Sequence, residues 1–288
     1  MQKIIAVLGS NGQLGKCLQK LAPEYHWNYE FIFADSSAVD ITVRDDVFNF
    51  FSEHQPDFCI NAAAYTAVDQ AEKEEEKALL VNAEGVKNIA EACKEYQTVL
   101  IHISTDYVFD GDTGISYDED SFTNPQSVYG NSKLQGEIFA LEYNAHSIII
   151  RTSWLYSEFN KNFVKTMLHL FKEKEELNVV SDQFGQPTNA NDLAECILNI
   201  IDLKDKKFGV YHFSNYPETN WSRFAKKIAE FSDLKIKINE ISSAEYPTPA
   251  KRPFRSTMDL SKIEKDYKVD LKHWENSLEE CIQILNSK

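Results

Sequence analysis

Short runs of apolar, largely β-branched residues recur through the N-terminal half of the chain, and each is followed by a helix-compatible stretch. The runs are Ile4–Leu8, Phe31–Ala34, Phe58–Ile60, Val99–Ile103 and Ile148–Ile150. Between them, apolar residues recur every three to four positions among charged ones over Leu14–Leu21, Val43–Phe51, Glu74–Cys93 and Tyr129–Leu141. The runs have the length of buried strands, and the spacing is typical of amphipathic helices. The pattern therefore predicts strands that alternate with crossover helices.

This alternation indicates βαβ units and predicts an α/β fold with a Rossmann-type, doubly wound parallel sheet. After about Arg151 the rhythm loosens. The predicted elements there are helices at Phe163–Lys172, Asn191–Ile201 and Trp221–Phe231, a strand at Val210–Phe213 and a helix near Leu278–Leu285. We expect a dinucleotide-binding domain over 1–152, to which 189–212 returns, and a smaller C-terminal α/β substrate-binding region over 153–288.

The composition is that of a globular, strongly acidic protein. Of 288 residues 43% are hydrophobic, and 45 acidic against 30 basic side chains give a formal net charge of −15. A chain of this size can bury a large core, while its negative field disfavours nucleic acid and anionic membranes as partners. The first apolar run is too short for a secretion signal or a membrane span. We therefore expect a cytoplasmic enzyme whose anionic ligands need a locally basic pocket.

Three of the ten glycines fall in one seven-residue window, directly after the first predicted strand. The window reads Gly9-Ser10-Asn11-Gly12-Gln13-Leu14-Gly15. In a strand-to-helix turn, glycine permits positive φ and lets the backbone approach a pyrophosphate, while the following helix directs its N-terminal N–H groups at the phosphates. A glycine-rich turn can arise by chance, but the strand before this one and the amphipathic helix after it favour a dinucleotide site.

Asp35 ends the second predicted strand, 20 residues beyond Gly15. A carboxylate there would accept hydrogen bonds from an adenosine ribose and disfavour a 2′-phosphate, which favours NADH. Ser36 and Ser37 follow at once and could instead donate to a phosphate. A third interpretation is that Asp35 only caps the turn before the next helix. The sequence leaves the 2′ group of the cofactor open.

A phenol and an ammonium lie four residues apart in Tyr129-Gly130-Asn131-Ser132-Lys133, on one face of a predicted helix. Upstream, Ser104 and Thr105 follow the fourth apolar run, at the edge where such sheets bind ligands. Carbonyl reduction needs an acid for the developing alkoxide, and tyrosine, with an ordinary pKa of about 10, is a poor one unless a cation lies close by. A tyrosine–lysine pair is usually a packing pair, but behind a phosphate-binding turn it predicts catalysis by Thr105, Tyr129 and Lys133.

Several stretches that together cover nearly the whole chain carry a family resemblance. They are Gly9–Gly15, Asn61–Asp69, Ser104–Gly111, Tyr129–Lys133, Arg151–Trp154, Asp182–Thr188 and Tyr246–Pro253. With them the chain resembles the extended short-chain dehydrogenases and, within these, the dTDP-4-dehydrorhamnose reductase family. The tyrosine–lysine pair is shared by the whole superfamily, whereas the last three stretches are much more specific. The resemblance implies NADPH- or NADH-dependent reduction of the C4 ketone of dTDP-4-dehydro-L-rhamnose to dTDP-L-rhamnose.

The resemblance also implies which residues contact the ligands, with Thr105, Tyr129 and Lys133 as the catalytic trio. The candidates for cofactor binding are Gly9, Asn11, Gly12, Gln13, Leu14, Gly15, Asp35, Asp40, Asn61, Ala62, Ala63, Tyr65, Ser104, Tyr129 and Lys133. The candidates for substrate binding are Thr66, Val68, Thr105, Asp106, Tyr107, Trp154 and Arg252. NADP(H) is the first expectation for the cofactor and NAD(H) the second, and no metal is expected.

One segment, Pro247–Arg255, is basic in this acidic chain: it holds three basic and no acidic residues. The planar fork of arginine matches phosphate oxygens, so Arg252 is the first candidate to hold the substrate diphosphate. Among the tryptophans, only Trp154 is placed at the sugar by the resemblance, and Trp221 is expected to fill a core or an interface. His102 lies in an apolar run and is predicted to be a buried strand residue rather than a base.

The oligomeric state is predicted from a departure from the family. Some members dimerise around a magnesium ion held by two glutamates, and the corresponding positions here are Cys17 and Asn191. Mg²⁺ prefers carboxylate and water oxygens, which a thiol and a carboxamide do not replace. We expect a monomer or a homodimer without a metal bridge. An alignment shifted by a residue or a few would instead bring in Asp192 or Glu195.

Two other functions stay open on the sequence alone. Another sugar-nucleotide reductase or a C4 epimerase would share the glycine turn and the catalytic trio while differing in its sugar pocket. A non-catalytic regulatory subunit of the same fold, like that of methionine adenosyltransferase, would have no need of an intact trio.

Overall fold

The structure is a computed structural model that describes residues 2–287. Its strands are β1 Lys3–Leu8, β2 Tyr29–Ala34, β3 Phe58–Asn61, β4 Val99–Thr105, β5 Ser147–Thr152, β6 Leu155–Tyr156, β7 Glu176–Val180, β8 Phe184–Gly185, β9 Thr188–Asn189, β10 Gly209–His212, β11 Thr219–Asn220 and β12 Lys237–Ile241. Its α-helices are α1 Gln13–Tyr25, α2 Arg44–His54, α3 Val68–Ala71, α4 Glu75–Leu79, α5 Gly85–Glu95, α6 Val128–Tyr143, α7 Phe163–Glu173, α8 Ala190–Asp202, α9 Trp221–Phe231, α10 Ser261–Tyr267 and α11 Trp274–Asn286.

The main sheet has six parallel strands in the order β2-β1-β3-β4-β5-β10. The order reverses between β1 and β3, so the carboxyl ends of these strands flank the kind of crevice that binds ligands in open α/β sheets. All five strands predicted in the N-terminal half are present, and the Rossmann-type fold class is confirmed. Strands β4 and β5 extend beyond the predicted bounds, to Thr105 and Thr152.

Helices cover both faces of this sheet. On one face α1 and α8 pack on Ile5 and Val7 of β1, and on the other α2, α5 and α6 form a core with Ala6 and Leu8. Successive side chains of a strand point to opposite faces, so a strand buried on both is apolar throughout. The runs that predicted these strands are continuously apolar because the strands are buried on both faces.

The helix predicted over Glu74–Cys93 is not continuous, because a π-helical turn at Leu80–Glu84 separates α4 from α5. Within that turn the buried Asn82 accepts a hydrogen bond from the Tyr65 N–H (2.8 Å) and donates to Ser132 Oγ (2.9 Å). Single π-helical turns are frequent near functional sites. This one ties the loop after β3 to α6.

The C-terminal region builds a second core from α7, α9, α11 and the parallel pair β7–β12. The predicted helices of this region are present, whereas β7, β12 and α10 were not predicted. Strand β10 pairs with β5, and α8 packs on α1. Within residues 2–287, no helix is both long enough and apolar enough to cross a membrane.

Candidate active site

A cavity of about 540 Å³ lies at the carboxyl edge of the sheet, between the start of α1 and the ends of β4 and β5. It brings together most of the residues predicted for cofactor and substrate. These are Gly12, Gln13, Leu14, Ala62, Thr66, Val68, Ser104, Thr105, Asp106, Tyr107, Tyr129, Lys133 and Trp154. The two sets of candidates therefore share one cavity.

The glycine turn connects β1 to α1 in a conformation that side chains would obstruct. Gly9 has φ +80°, and a Cβ there would lie 2.5 Å from Ala63 N. A Cβ on Gly15 would lie 2.6 Å from the Gly9 carbonyl oxygen. Gly12 is the N-cap of α1, so the unpaired N–H groups of the first helical turn face the cavity edge. This geometry fits a dinucleotide pyrophosphate at the N-terminus of α1.

Asp35 lies at the end of β2 beside the glycine turn, and its carboxylate is held by neighbours. The Ser37 N–H donates to it at 2.9 Å and the Ser37 hydroxyl at 2.6 Å, and Asn11 Nδ2 donates as well. Together, mainly through Ser37, these hydrogen bonds lower the pKa of Asp35. Asp35 therefore caps its turn, as one of the three interpretations has it, and the hydroxyl of Ser37 is engaged by the carboxylate.

Thr105 and Tyr129 meet where β4 ends and α6 begins. The Ser127 hydroxyl caps α6 by accepting from the Gly130 N–H at 3.1 Å. A Cβ on Gly130 would lie 2.2 Å from the Tyr107 carbonyl oxygen, so glycine lets α6 approach the turn after β4. Burial raises the pKa of Tyr129 to about 12, and a hydrogen bond with the Thr105 hydroxyl opposes that rise.

Lys133 is almost fully buried, and its Nζ donates to the Ile103 carbonyl oxygen at 2.6 Å. Burial lowers the pKa of Lys133 to about 8, although the carboxylate of Glu137 acts in the opposite direction. That Lys133 lowers the pKa of Tyr129 stays a prediction. In the structure the ammonium donates to a backbone carbonyl, and the hydrogen bond that lowers the pKa of Tyr129 is the one with the Thr105 hydroxyl.

Asp106 follows Thr105 and is buried. Its carboxylate accepts from the Thr105 hydroxyl at 3.0 Å and from the Ser256 hydroxyl at 2.5 Å. Burial raises the pKa of Asp106 to about 6. Asp106 was predicted to contact substrate and lines the cavity, and one of its oxygens also orients Thr105. Ser256, which no sequence pattern indicated, completes this contact from the C-terminal region.

Trp154 closes the cavity opposite the glycine turn in a strained backbone conformation. Its φ is +47°, in the left-handed region that bulky residues rarely adopt. Its ring stacks on Trp221 with 3.6 Å between ring centroids and 11° between planes. Trp221, expected only as a core or interface residue, therefore also lines the cavity.

Comparisons with known proteins agree with this geometry. The family model for the RmlD substrate binding domain matches residues 2–287. The chain belongs to this family. It is 41% identical to dTDP-4-dehydrorhamnose reductase of Aggregatibacter actinomycetemcomitans, over 95% of this chain and 96% of that protein.

Two further relatives of this RmlD-family chain extend the comparison. It is 38% identical to the spore coat polysaccharide biosynthesis protein SpsK of Bacillus subtilis (strain 168), over 100% of this chain and 99% of that protein. Among solved structures, dTDP-4-dehydrorhamnose reductase from Bacillus anthracis in complex with NADP has a TM-score of 0.94 and 40% identity. That alignment covers 99% of this chain and 100% of the other.

A second cavity in this RmlD-family chain, of about 930 Å³, extends from the first into the C-terminal region. Tyr107 and Trp221 line both cavities. Arg252 borders the second one, where its guanidinium donates to Asp69 Oδ2 at 2.7 Å and to the Ala250 carbonyl oxygen at 3.2 Å. Arg252 thus lines the second cavity and not the one that Thr105, Tyr129 and Lys133 share.

Four predicted cofactor residues have other partners within the fold. Asp40 caps its own turn by accepting from the N–H and hydroxyl of Thr42. The Tyr65 hydroxyl donates to Glu74 at 2.9 Å. The other two residues, Asn61 and Ala63, hydrogen-bond to each other through the Ala63 N–H and Asn61 Oδ1 at 3.1 Å.

The cavity wall also contains residues that were not predicted to bind cofactor or substrate. They are Ala64, Ile103, Thr152, Ser153, Leu155, Asn160, Lys161, Asn162 and Trp221. Asn162 could have been found, because asparagine before the apolar periodicity of α7 is an N-cap pattern, and it does cap that helix. Its Nδ2 also donates to Gln13 Oε1 at 2.9 Å, which links α7 to the glycine turn.

The two positions that the resemblance sets against metal-binding glutamates, Cys17 and Asn191, lie near the buried carboxylate of Glu158. Cys17 is fully buried, and Asn191 donates to Glu158 Oε2 at 2.9 Å. The Lys20 ammonium donates to Glu158 Oε1 at 2.8 Å, so a cation of the chain itself neutralises Glu158. Burial would raise the pKa of Glu158, but the hydrogen bonds from Lys20 and Asn191 outweigh it and the pKa is lowered.

The alternative metal ligands near Asn191 are engaged as well. Asp192 and Glu195 both pair with the Lys272 ammonium, at 2.8 and 3.3 Å. Among residues 2–287, no group of three or more histidine, cysteine, aspartate or glutamate side chains is arranged to hold a metal ion.

Proposed function

We propose that this chain reduces the C4 ketone of dTDP-4-dehydro-L-rhamnose to an alcohol with NADPH, and that NADH serves as a second cofactor. The observation that carries this proposal is one cavity that combines the N-terminus of α1, which suits a dinucleotide, with Thr105, Tyr129 and Lys133. The names of the relatives, and the NADP bound to the structure from Bacillus anthracis, support the choice of substrate and cofactor.

In the proposed mechanism, the cofactor supplies a hydride to the ketone carbon and the chain handles the proton. The Thr105 hydroxyl turns from Asp106 to the ketone oxygen and orients it against the Tyr129 phenol. As negative charge develops on that oxygen, Tyr129 donates its proton to give the alcohol. The Lys133 ammonium then returns a proton to the phenolate, and water reprotonates the amine. One hydride and one proton are thereby added across the carbonyl.

We assign the nucleotide part of the substrate to the second cavity. If the sugar binds at Tyr129 and Trp154, the attached diphosphate would extend past Tyr107 toward Arg252. The partners of Arg252 in the structure, a carboxylate and a backbone carbonyl, leave its guanidinium able to bind a diphosphate bidentately if it rotates from Asp69. We propose that the substrate-binding region lies largely in 153–288. The cytoplasmic location also stays a prediction.

A coupled assay tests the proposed function. The purified chain is mixed with NADPH and dTDP-4-dehydro-L-rhamnose generated in place, and oxidation of NADPH is followed by absorbance while dTDP-L-rhamnose is identified by mass and retention. We expect stoichiometric loss of NADPH and gain of product. NADPH oxidation with related nucleotide 4-ketosugars but not with this one would contradict the assignment and favour another sugar-nucleotide reductase.

Replacement of Asp35 by alanine should raise the preference for NADPH over NADH. The carboxylate at the end of β2 repels a 2′-phosphate, and its removal also releases Asn11 and the Ser37 hydroxyl to donate to one. The readout is the ratio of kcat/KM for the two cofactors. Asp45→Ala, a change of equal charge on α2, is the control and should leave the ratio unchanged. An unaltered ratio in Asp35→Ala would show that Asp35 does not face the ribose.

We propose that the chain is a monomer or a homodimer without a metal bridge. The Lys20 ammonium and the Asn191 amide each donate to one oxygen of Glu158, the buried carboxylate beside these positions, and Cys17 supplies no hard ligand. Light scattering with and without a chelator should give the same molar mass, and activity should survive chelation. Dissociation of a dimer on loss of Mg²⁺, reversed when the ion is restored, would refute this proposal.

A further inference from the structure

One buried titratable side chain at the site has no place in the mechanism above. His102 lies on β4 behind the catalytic residues and is fully buried. Its Nδ1 is 3.1 Å from Asn61 Nδ2, and its Nε2 is 3.4 Å from the Lys133 ammonium nitrogen. The imidazole therefore bridges the strand next to the cofactor loop and the lysine of the catalytic trio.

The orientation of Asn61 determines which nitrogen of His102 carries the proton. Asn61 Oδ1 accepts from the Ala63 N–H at 3.1 Å, so the NH₂ group of the amide faces His102. Because this NH₂ can only donate, Nδ1 must accept and cannot carry hydrogen. Burial, followed by the nearby Lys133 charge, holds the pKa of His102 well below its usual range, so the ring is neutral. Its single proton is then on Nε2, facing Lys133.

With this tautomer, the contact between His102 and Lys133 differs between the two protonation states of Lys133. An Nε2–H opposite an ammonium places donor against donor, whereas a neutral amine offers a lone pair that accepts from it. Lys133 keeps its hydrogen bond to the Ile103 carbonyl in either state. The contact with His102 therefore becomes favourable only after Lys133 has given up a proton.

We infer that His102 is a positioning residue for proton delivery, whose Nε2–H stabilises and orients the neutral amine that remains once Lys133 has reprotonated Tyr129. The role in proton delivery rests on the proposed function, whereas the contacts of His102 do not depend on it. The Asn61–Ala63 contact fixes the tautomer, and through it the loop after β3 is coupled to the proton pathway.

Besides Lys133, the charged groups on the elements next to His102 form an ion pair with each other. From α6 come Lys133 and, one turn later, Glu137, and from β5 comes Arg151, which pairs with Glu137 at 2.7 Å. Strand β3 contributes the neutral amide of Asn61. Glu137 favours the charged form of Lys133, so His102 and Glu137 act on that amine in opposite directions.

The first test is the tautomer itself, measured by ¹⁵N NMR of histidine-labelled protein with NADPH bound. We expect Nε2 protonated and Nδ1 unprotonated for His102, assigned by comparison with His102→Gln. A proton on Nδ1, or an imidazolium at neutral pH, would overturn the inference. This measurement needs no sugar substrate, so its outcome is independent of whether the proposed reduction is correct.

The second test is the pH profile of reduction. Glutamine at position 102 can turn its carbonyl toward Lys133 and accept from the ammonium, which favours the charged form. In His102→Gln the alkaline limb of the kcat profile should therefore move upward by about one pH unit, the scale of one hydrogen bond. His212→Gln is the control, because His212 is equally buried but contacts Arg151 and the Asp259 carbonyl. A uniform fall in kcat with an unmoved limb would mean that His102 is only structural.

Discussion

Replacement of Tyr129 by phenylalanine should lower kcat by about a hundredfold or more, the scale of a lost general acid. The phenol lies at the cavity wall and, in the proposed mechanism, protonates the ketone oxygen, so its loss would leave only water or Thr105 for that step. Binding of NADPH should change little, because the glycine turn and α1 are untouched. The measurement is steady-state turnover together with titration of NADPH binding by fluorescence.

Tyr143→Phe is the matched control for this variant. Tyr143 lies at the other end of α6, so its hydroxyl is removed from the same helix but away from the cavity. Its turnover should stay near that of the unaltered protein. Near-normal turnover in Tyr129→Phe would show that another group donates the proton, and the proposed mechanism would be wrong.

Replacement of Glu137 by glutamine should cost about 3–5 kcal/mol of the free energy of unfolding. Glu137 on α6 and Arg151 on β5 form an ion pair whose side chains are only 3% and 5% exposed, and Ser104 also donates to the carboxylate. Removing the negative charge leaves the guanidinium buried without compensation. Urea denaturation at neutral pH measures the change.

Two controls separate this effect from loss of any ion pair. Glu176→Gln breaks an exposed pair with Lys237 and should have a much smaller effect, because solvent screens it. Replacing both members of the buried pair, as Glu137→Leu with Arg151→Met, should recover much of the lost stability, since no lone charge is left inside. A loss in Glu137→Gln no larger than that of Glu176→Gln would contradict the account of the buried pair.

The main sheet could be predicted because its strands are buried on both faces, which makes each a continuous apolar run between turns. The strand pair β7–β12 could not be predicted from the sequence. In β7 only alternate residues, Leu177 and Val179, are buried, and its partner strand lies about sixty residues later in the chain. Such a short alternating segment gives little signal until its partner is known. The π-helical turn at Leu80–Glu84 was missed because a single wider turn barely disturbs the helical spacing.

The positions of the three residues proposed to be catalytic could be predicted because they occupy fixed places in a βαβ fold, the end of a strand and the first two turns of a helix. The sequence could not show how each side chain is oriented by the residues that it contacts in the fold. The carboxylate of Asp106 accepts hydrogen bonds from two hydroxyls, and one of them belongs to Ser256, 150 residues away. The phenol of Tyr65 faces Glu74 for a similar reason. These orientations depend on tertiary contacts, which motifs do not encode.

The central claim, hydride transfer to the C4 carbon of a dTDP-sugar, can be tested by following the hydride itself. The chain is incubated with dTDP-4-dehydro-L-rhamnose and NADPH that carries deuterium at both hydrogens of its nicotinamide C4, and the product is analysed by mass spectrometry and NMR. The account predicts dTDP-L-rhamnose with one deuterium, bound to C4 of the sugar, and far less of it with Tyr129→Phe. An unlabelled product, or deuterium at another carbon, would contradict it.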